Sequence, residues 1–368
     1  MNKKLLTLAV AGAIVGGMGV AQADVTVYGK AHMSIDTTHV DKLGGYDGDT
    51  QFAVANNSSR LGVKFSEDLG GSFVKKAMGQ YEATVTLDGD TGTTTGLFGG
   101  PIRNSFLGLE TAGGSLLAGV HDTPMKLIGR AVELFPEQMG DARNLTDPDS
   151  AGNGTWDLRL NNVVAYVTPA MAGVQAVVAY SADTSGTNTA GDNNNNSAMS
   201  ANVTYKGGPV YVGAAYEVHS LAAPTLSTQD DESAWRLAAS GTFGMFKVIG
   251  LYQQSSNEDF TAGNDRSVWG LGAAMTLAEK HVVKAQYYKA ASLDSSTTDD
   301  GADMYAVGYD YKFSKKTTGY VSYAKTMNDA GGDFSVNGGG KGDAIADGAA
   351  AIRGSELGGL AVGLWMDF

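Results

Sequence analysis

The sequence predicts an all-β chain, folded as a transmembrane antiparallel up-and-down β-barrel of about sixteen strands. Three observations predict it. Both ends of the chain carry complementary amphipathic strands. No segment after residue 23 approaches the roughly 20 apolar residues of a spanning helix. The connections between strand-like segments alternate short and long, as in a meander with turns at one end and loops at the other.

Residues 1–23 read as a signal peptide. Lys3 and Lys4 form a basic start, residues 5–20 are apolar and glycine-rich, and Ala21-Gln22-Ala23 is a small-x-small cleavage site. The remainder, 24–368, reads as one barrel domain, exported to an outer membrane. Its first strand alternates Val25, Val27, Gly29, Ala31, Met33 and Ile35 with Thr26, Tyr28, Lys30, His32, Ser34 and Asp36. Its last sets Leu360, Val362, Leu364, Met366 and Phe368 against Ala361, Gly363, Trp365 and Asp367. Side chains of a strand alternate between faces, so each has one continuous apolar face. Apolar outsides and polar insides at both termini suit a sheet that closes on itself in lipid.

Between them the alternation marks strands near 59–67, 78–88, 102–111, 114–122, 156–168, 173–182, 198–206, 209–219, 233–242, 245–255, 266–277, 281–291, 303–313 and 317–327. Long connections fall at 37–58, 89–101, 123–155, 183–197, 220–232, 256–265, 292–302 and 328–356. Composition agrees. Cysteine is absent and proline numbers only 7, while glycine numbers 51, as long strands and tight turns require. The mean hydropathy of −0.13 excludes a helical membrane protein but not a barrel, whose strands are half polar. The formal charge is −13, and −15 once Lys3 and Lys4 leave with the signal peptide. Such a field is unsuited to nucleic acid.

Several segments resemble the trimeric general porins of Gram-negative bacteria, of the beta- and gamma-proteobacterial type. They are Val25-Thr-Val-Tyr-Gly-Lys30, Ser58-Ser-Arg-Leu-Gly-Val-Lys-Phe-Ser-Glu-Asp-Leu-Gly-Gly71, Arg103-Asn-Ser-Phe-Leu-Gly-Leu109, Asn161-Asn-Val-Val-Ala-Tyr-Val-Thr-Pro169, Gly207-Gly-Pro-Val-Tyr-Val-Gly-Ala-Ala-Tyr216, Gly308-Tyr-Asp-Tyr-Lys-Phe-Ser-Lys-Lys-Thr317 and the terminal Phe368. The resemblance implies a homotrimer in outer-membrane lipid and lipopolysaccharide, with one pore per subunit for ions and small hydrophilic solutes. It implies that the third long loop, 123–155, folds inward. It also implies that Arg60, Lys64 and Arg103 line the pore opposite acids of that loop. Lys30 and Arg159 join them by alternation. The loop offers Glu133, Glu137 and Asp141 around Phe135-Pro136.

The chain departs from that pattern where Val120, Ala165 and Trp365 replace basic wall residues and Asp367 adds an acid. With the net charge, this predicts a cation-preferring channel. A substrate-selective channel, with Trp156, Trp235 and Trp269 contributing lumen aromatics, and an adhesive barrel with a closed lumen are the alternatives. His32, His39, His121, His219 and His281 show no metal-ligand spacing. His121 and Asp122 are adjacent on a strand and point apart, so no catalytic site and no cofactor are expected. The acidic groups Asp41, Asp47 and Asp49, residues 230–232, and Asp299 with Asp300 read as solvated loop surface, with calcium binding the alternative.

Overall fold

The computed structural model describes residues 23–41, 50–89, 102–147, 156–184, 196–221, 230–337 and 352–368. The expected signal segment, apart from Ala23, lies outside them, as do Asp47 and Asp49. Seventeen strand segments follow in order. They are β1 (Asp24–Asp41), β2 (Thr50–Asn56), β3 (Arg60–Asp68), β4 (Val74–Thr84), β5 (Ser105–Thr111), β6 (Gly114–Asp122), β7 (Arg159–Val167), β8 (Val174–Ser181) and β9 (Ser197–Gly207). Then come β10 (Val210–Ser220), β11 (Glu232–Phe243), β12 (Phe246–Ser256), β13 (Arg266–Leu277), β14 (His281–Ala290), β15 (Ala302–Lys312), β16 (Thr317–Asn328) and β17 (Glu356–Asp367). From β3 onward each strand pairs antiparallel with the next. β17 returns to β1, from Lys30 opposite Asp367 to Asp41 opposite Glu356, and closes the barrel.

β2 and β3 are two halves of one barrel strand, so the seventeen segments make sixteen strands. Both halves pair with β1, but the register steps by one residue between Met33–Asn56 and Lys30–Arg60. Ser58 takes the extra residue with φ of 55°, a bulge. Residues 37–58 are therefore not one long loop. β1 runs on to Asp41 and the chain is back in the sheet at Thr50. A polar, alternation-poor stretch hid this continuation. β4 likewise starts at Val74 rather than residue 78.

The outer face is apolar and bare. Leu107, Leu271 and Val164, on β5, β13 and β7, are 57–63% exposed. An apolar surface this continuous requires lipid rather than water. Trp235 and Trp269 stand on it, beside Tyr252 and Tyr287 at ring-centroid distances of 5.1 and 5.4 Å. They are outer-wall aromatics, not lumen ones. Val120 pairs with Ser105 on the face of Leu116 and Ala118, so it too points outward and replaces no lumen base.

The inner face divides in two. From β9 round to β1 many of its residues are buried, covered by an internal core that includes Met125, Ile128, Phe135, Met139, Leu145 and Trp156. From β3 to β8 many inner residues remain half-buried. The free space of the barrel lies along that second wall.

Candidate functional site

The core over β9–β12 begins with helix α1 (Pro124–Val132). Thr123 caps it by accepting from the Lys126 N–H at 3.2 Å, and Pro124 occupies the first turn, where no N–H is needed. One side of α1 carries Met125, Ile128 and Val132, all buried, and the other carries Lys126 and Arg130. Asn202 donates to the Pro124 carbonyl at 2.8 Å, and Arg236 to that of Met125 at 3.3 Å. The chain then crosses to β14, where Lys284 donates to the Leu134 carbonyl and to Gln138 Oε1, both at 3.0 Å, and Gln286 to the Gly140 carbonyl at 2.9 Å. A short helix, α2 (Arg143–Thr146), follows. On the return, Trp156 stacks on His219 (5.0 Å, 21°) and Asp157 pairs twice with Arg236, at 2.8 and 3.0 Å.

Glu137 is the hub. Its carboxylate takes Lys30 Nζ at 2.9 Å, an Arg60 N–H at 2.9 Å and an Arg130 N–H at 3.4 Å. Burial alone would raise this carboxyl, but the His32 ring nitrogen 3.9 Å away and the charges of Lys30, Arg60 and Arg130 hold it well below its ordinary value. Asp141 holds Arg130 at 3.2 Å and Arg143 at 2.8 Å, and accepts from the Glu137 N–H at 2.8 Å. Beyond Arg60 the wall continues with Arg103 on Glu82 (2.7 Å) and Arg159 on Asp122 (3.0 Å), Asp122 also taking Lys126 at 3.3 Å.

A barrel closed by sixteen strands, with a belt of ion pairs between wall and loop, is matched by one family profile. The Gram-negative porin family covers residues 7–331. The chain belongs to that family. It is 29% identical over 335 residues to outer membrane porin protein 32 of Delftia acidovorans, which spans 89% of this chain and 90% of the relative. It is 27% identical over 360 residues to major outer membrane protein P.IB of Neisseria gonorrhoeae, covering 92% and 97%. Among solved structures it is similar to an anion-selective porin from Comamonas acidovorans, with a TM-score of 0.76 and 25% identity over 94% of this chain and all of that one. The protein is an outer-membrane porin.

Of the wall bases expected in this porin, Lys30 and Arg60 meet the loop, through Glu137. Arg103 and Arg159 pair with the wall and loop-start acids Glu82 and Asp122 instead. Lys64 stands exposed, its ammonium 4.7 Å from the Tyr28 ring. Asp141 serves the loop's own arginines. Glu133 makes no ion pair with a wall base among the described residues: it accepts from the Phe135 and Ala142 N–H groups at 2.6 and 2.9 Å and from Gln286 at 3.1 Å. Ala165 is buried on the inner face, and Trp365 lies there with Lys30 5.5 Å from its ring. Sequence reasoning missed Arg130, Arg143, Glu82 and the Asp157–Arg236 pair. Arg236 carried a legible signal, a lone arginine between Ala234 and Ala238 on the inward phase of β11.

Burial, then the charge of Asp141, pushes the Glu133 carboxyl up from 4.5 to about 7, against the pull of its backbone donors and Arg130. The folded loop thus holds this proton more tightly than the unfolded chain does. The contribution is complete below about 4.5 and is lost as pH rises through about 7. Open-channel current noise should therefore rise between about pH 5 and 8 and stay flat in Glu133→Gln. Equal pH dependence in the two proteins would show that Glu133 does not titrate in this range.

Proposed function

We propose that this porin passes ions and small hydrophilic solutes by passive diffusion, through a lumen narrowed by the 123–158 segment, and that its narrow zone favours anions. The contacts of that segment with β1, β3, β11 and β14 support the narrowing. The observation that carries the anion reading is the layering of charge. Among the described residues the ion-paired belt joins Lys30, Arg60, Arg103, Lys126, Arg130, Arg143, Arg159 and Arg236 to only five acids: Glu82, Asp122, Glu137, Asp141 and Asp157. Glu133 and Asp147, both pushed up by burial, leave the ion-paired belt at eight bases to seven acids when fully ionised, with Asp367 opposite Lys30 the one further acid acting on Arg60.

The acids also lie beneath the bases. The Glu137 and Asp141 side chains are 5% and 0% exposed, whereas those of Arg60 and Arg130 are 22% and 27% exposed. An ion in the lumen meets guanidinium groups first. Charge at close quarters governs permeation more than distant loop charge, which salt screens within about 8–10 Å. The net charge of the chain favoured cations; the exposed charge of the belt and the anion-selective relative support the opposite reading.

A potassium chloride gradient across a planar bilayer should give a reversal potential of chloride sign. Arg60→Ala with Arg103→Ala should move it towards potassium by several-fold in permeability ratio and raise conductance, with the barrel still assembled. A potassium-selective wild-type channel would overturn the anion reading. We also propose that Lys64 lines the same lumen, and that the protein works as a homotrimer in lipid with lipopolysaccharide. The trimer should run as a large species in unheated gels and collapse to the chain's own mass on boiling. A single small species in both lanes, together with no cross-linking in mild detergent, would refute it.

A further inference from the structure

Below the arginine belt the half-open wall carries an apolar strip between the polar inner residues Gln80 above and Glu110 and Ser115 below. Met78 pairs across the sheet with Gly108, Gly108 with Leu117, and Leu117 with Ala165. All four lie on the inner face, the phase of Lys64, Gln80 and Glu82. Phe106 stands opposite Gln80 one pair higher, its ring 5.5 Å from that of His121. Val167 and Val177 face each other lower down. A methyl placed on Gly108 would collide with Leu117 and touch Met78, so those two side chains close over the glycine as one surface. Met78, Phe106, Leu117, Val167 and Val177 are only half-buried. The inner faces of porin-like barrels are ordinarily polar, so a contiguous half-exposed apolar strip across β4–β8 calls for an occupant.

Charge at the strip's upper edge says which. Arg103 spends its Nε on Glu82, and Arg159 spends its Nε on Asn104 and one terminal nitrogen on Asp122. Each guanidinium keeps N–H groups without a partner among the described residues. Asn104, bonded to Arg159, precedes Phe106 by two residues, about 7 Å along a strand. A carboxylate on these arginines would therefore leave an apolar body over Phe106, Leu117 and Met78. Guanidinium groups match carboxylates in geometry.

We propose that this wall is a subsite for amphipathic organic anions, carboxylates with an aromatic or branched apolar body, below the narrow zone. The inference deepens the anion reading and rests on it. The strip supplies affinity for the apolar part, and the arginines supply orientation and charge.

Benzoate and acetate are the probes, measured by reversal potential against chloride in planar bilayers. Free diffusion favours acetate, the smaller ion. In the wild type the benzoate-to-acetate permeability ratio should exceed that of the Met78→Thr, Phe106→Thr, Leu117→Thr triple variant by roughly threefold or more, as loss of apolar contact for one ring implies. The chloride-to-potassium ratio should be the same in both. Phe106→Thr alone, the change least disruptive to assembly, should show part of the effect, and Phe106→Leu should restore most of it. Equal benzoate-to-acetate ratios in wild type and Phe106→Thr, with chloride still preferred over potassium, overturn the subsite and leave the anion reading standing. A wild type that prefers potassium overturns the anion reading itself, and the subsite with it.

Discussion

Glu137→Gln should raise the chloride-to-potassium permeability ratio several-fold and make the open channel noisier. The carboxylate is the single counter-charge that Lys30 and Arg60 share with the loop. Glutamine keeps its size and one acceptor but leaves three cations around a neutral group. Removing one partner of a buried pair costs about 3–5 kcal/mol when the survivors stay dry. Here water reaches Arg60 and Arg130, whose side chains are 22% and 27% exposed, so the cost falls below that range. The loop tip should therefore loosen without leaving the wall, since Lys284 and Gln286 still hold Leu134, Gln138 and Gly140. Single-channel recording gives both readouts. Unchanged selectivity would place Glu137 outside the ion path, and unchanged noise would show that the tip does not depend on it.

The second large effect is expected at Arg236, which is fully buried and clamps both ends of the loop. It reaches the Met125 carbonyl at the start, Asp157 at the return and Gln253 on the neighbouring strand. Arg236→Met should strand the Asp157 carboxylate in a dry site, at a local cost of about 3–5 kcal/mol. The sheet hydrogen bonds are untouched, so the barrel should remain resistant to detergent. The loop should become cleavable by protease. Adding Asp157→Asn should recover most of the loss, because the buried charge is then gone too. Burial raises the Asp157 carboxyl, but Arg236 and its neighbours hold it below the ordinary value. The pair's contribution is thus complete above the ordinary carboxylate range and lost as pH falls through the depressed value. Protection of the loop in Arg236→Met equal to that of the wild type would show that the clamp is redundant.

How much of this was legible in the chain follows from what kind of information each part needs. Period-2 alternation is local, so the strands and the shared face of Arg60 and Lys64 could be read directly. The resemblance singled out 123–155, and Glu137 was among its three candidate acids. What alternation cannot report is which acid meets which base. Glu133 looked equivalent to Glu137, yet it turns back to cap its own backbone. Asp141 is taken by Arg130 and Arg143, loop residues that no period marks. The net charge, −13 for the chain and −15 without residues 1–23, does not report selectivity for a related reason. It sums loop ends and narrow zone alike, whereas an ion responds to the groups it passes within a few ångströms. The outward turn of Val120 was legible, since it shares the period-2 phase of Leu116 and Ala118; the resemblance, not the alternation, placed a lumen base there.

The bulge at Ser58 gives the wall a reading frame. Upstream of it the odd residues Ala53 and Ala55 point inward while Phe52 and Val54 meet lipid. Downstream the even residues Arg60 and Lys64 point inward while Val63 and Phe65 meet lipid. One inserted residue is all that keeps two oppositely phased halves on a single strand. Deleting Ser58 would force a choice: Arg60 and Lys64 turn into the bilayer, or Phe52 and Val54 turn into the channel. Segments swapped between this porin and its relatives must therefore be cut in phase with that residue. A graft one position out would preserve every amino acid and invert the wall.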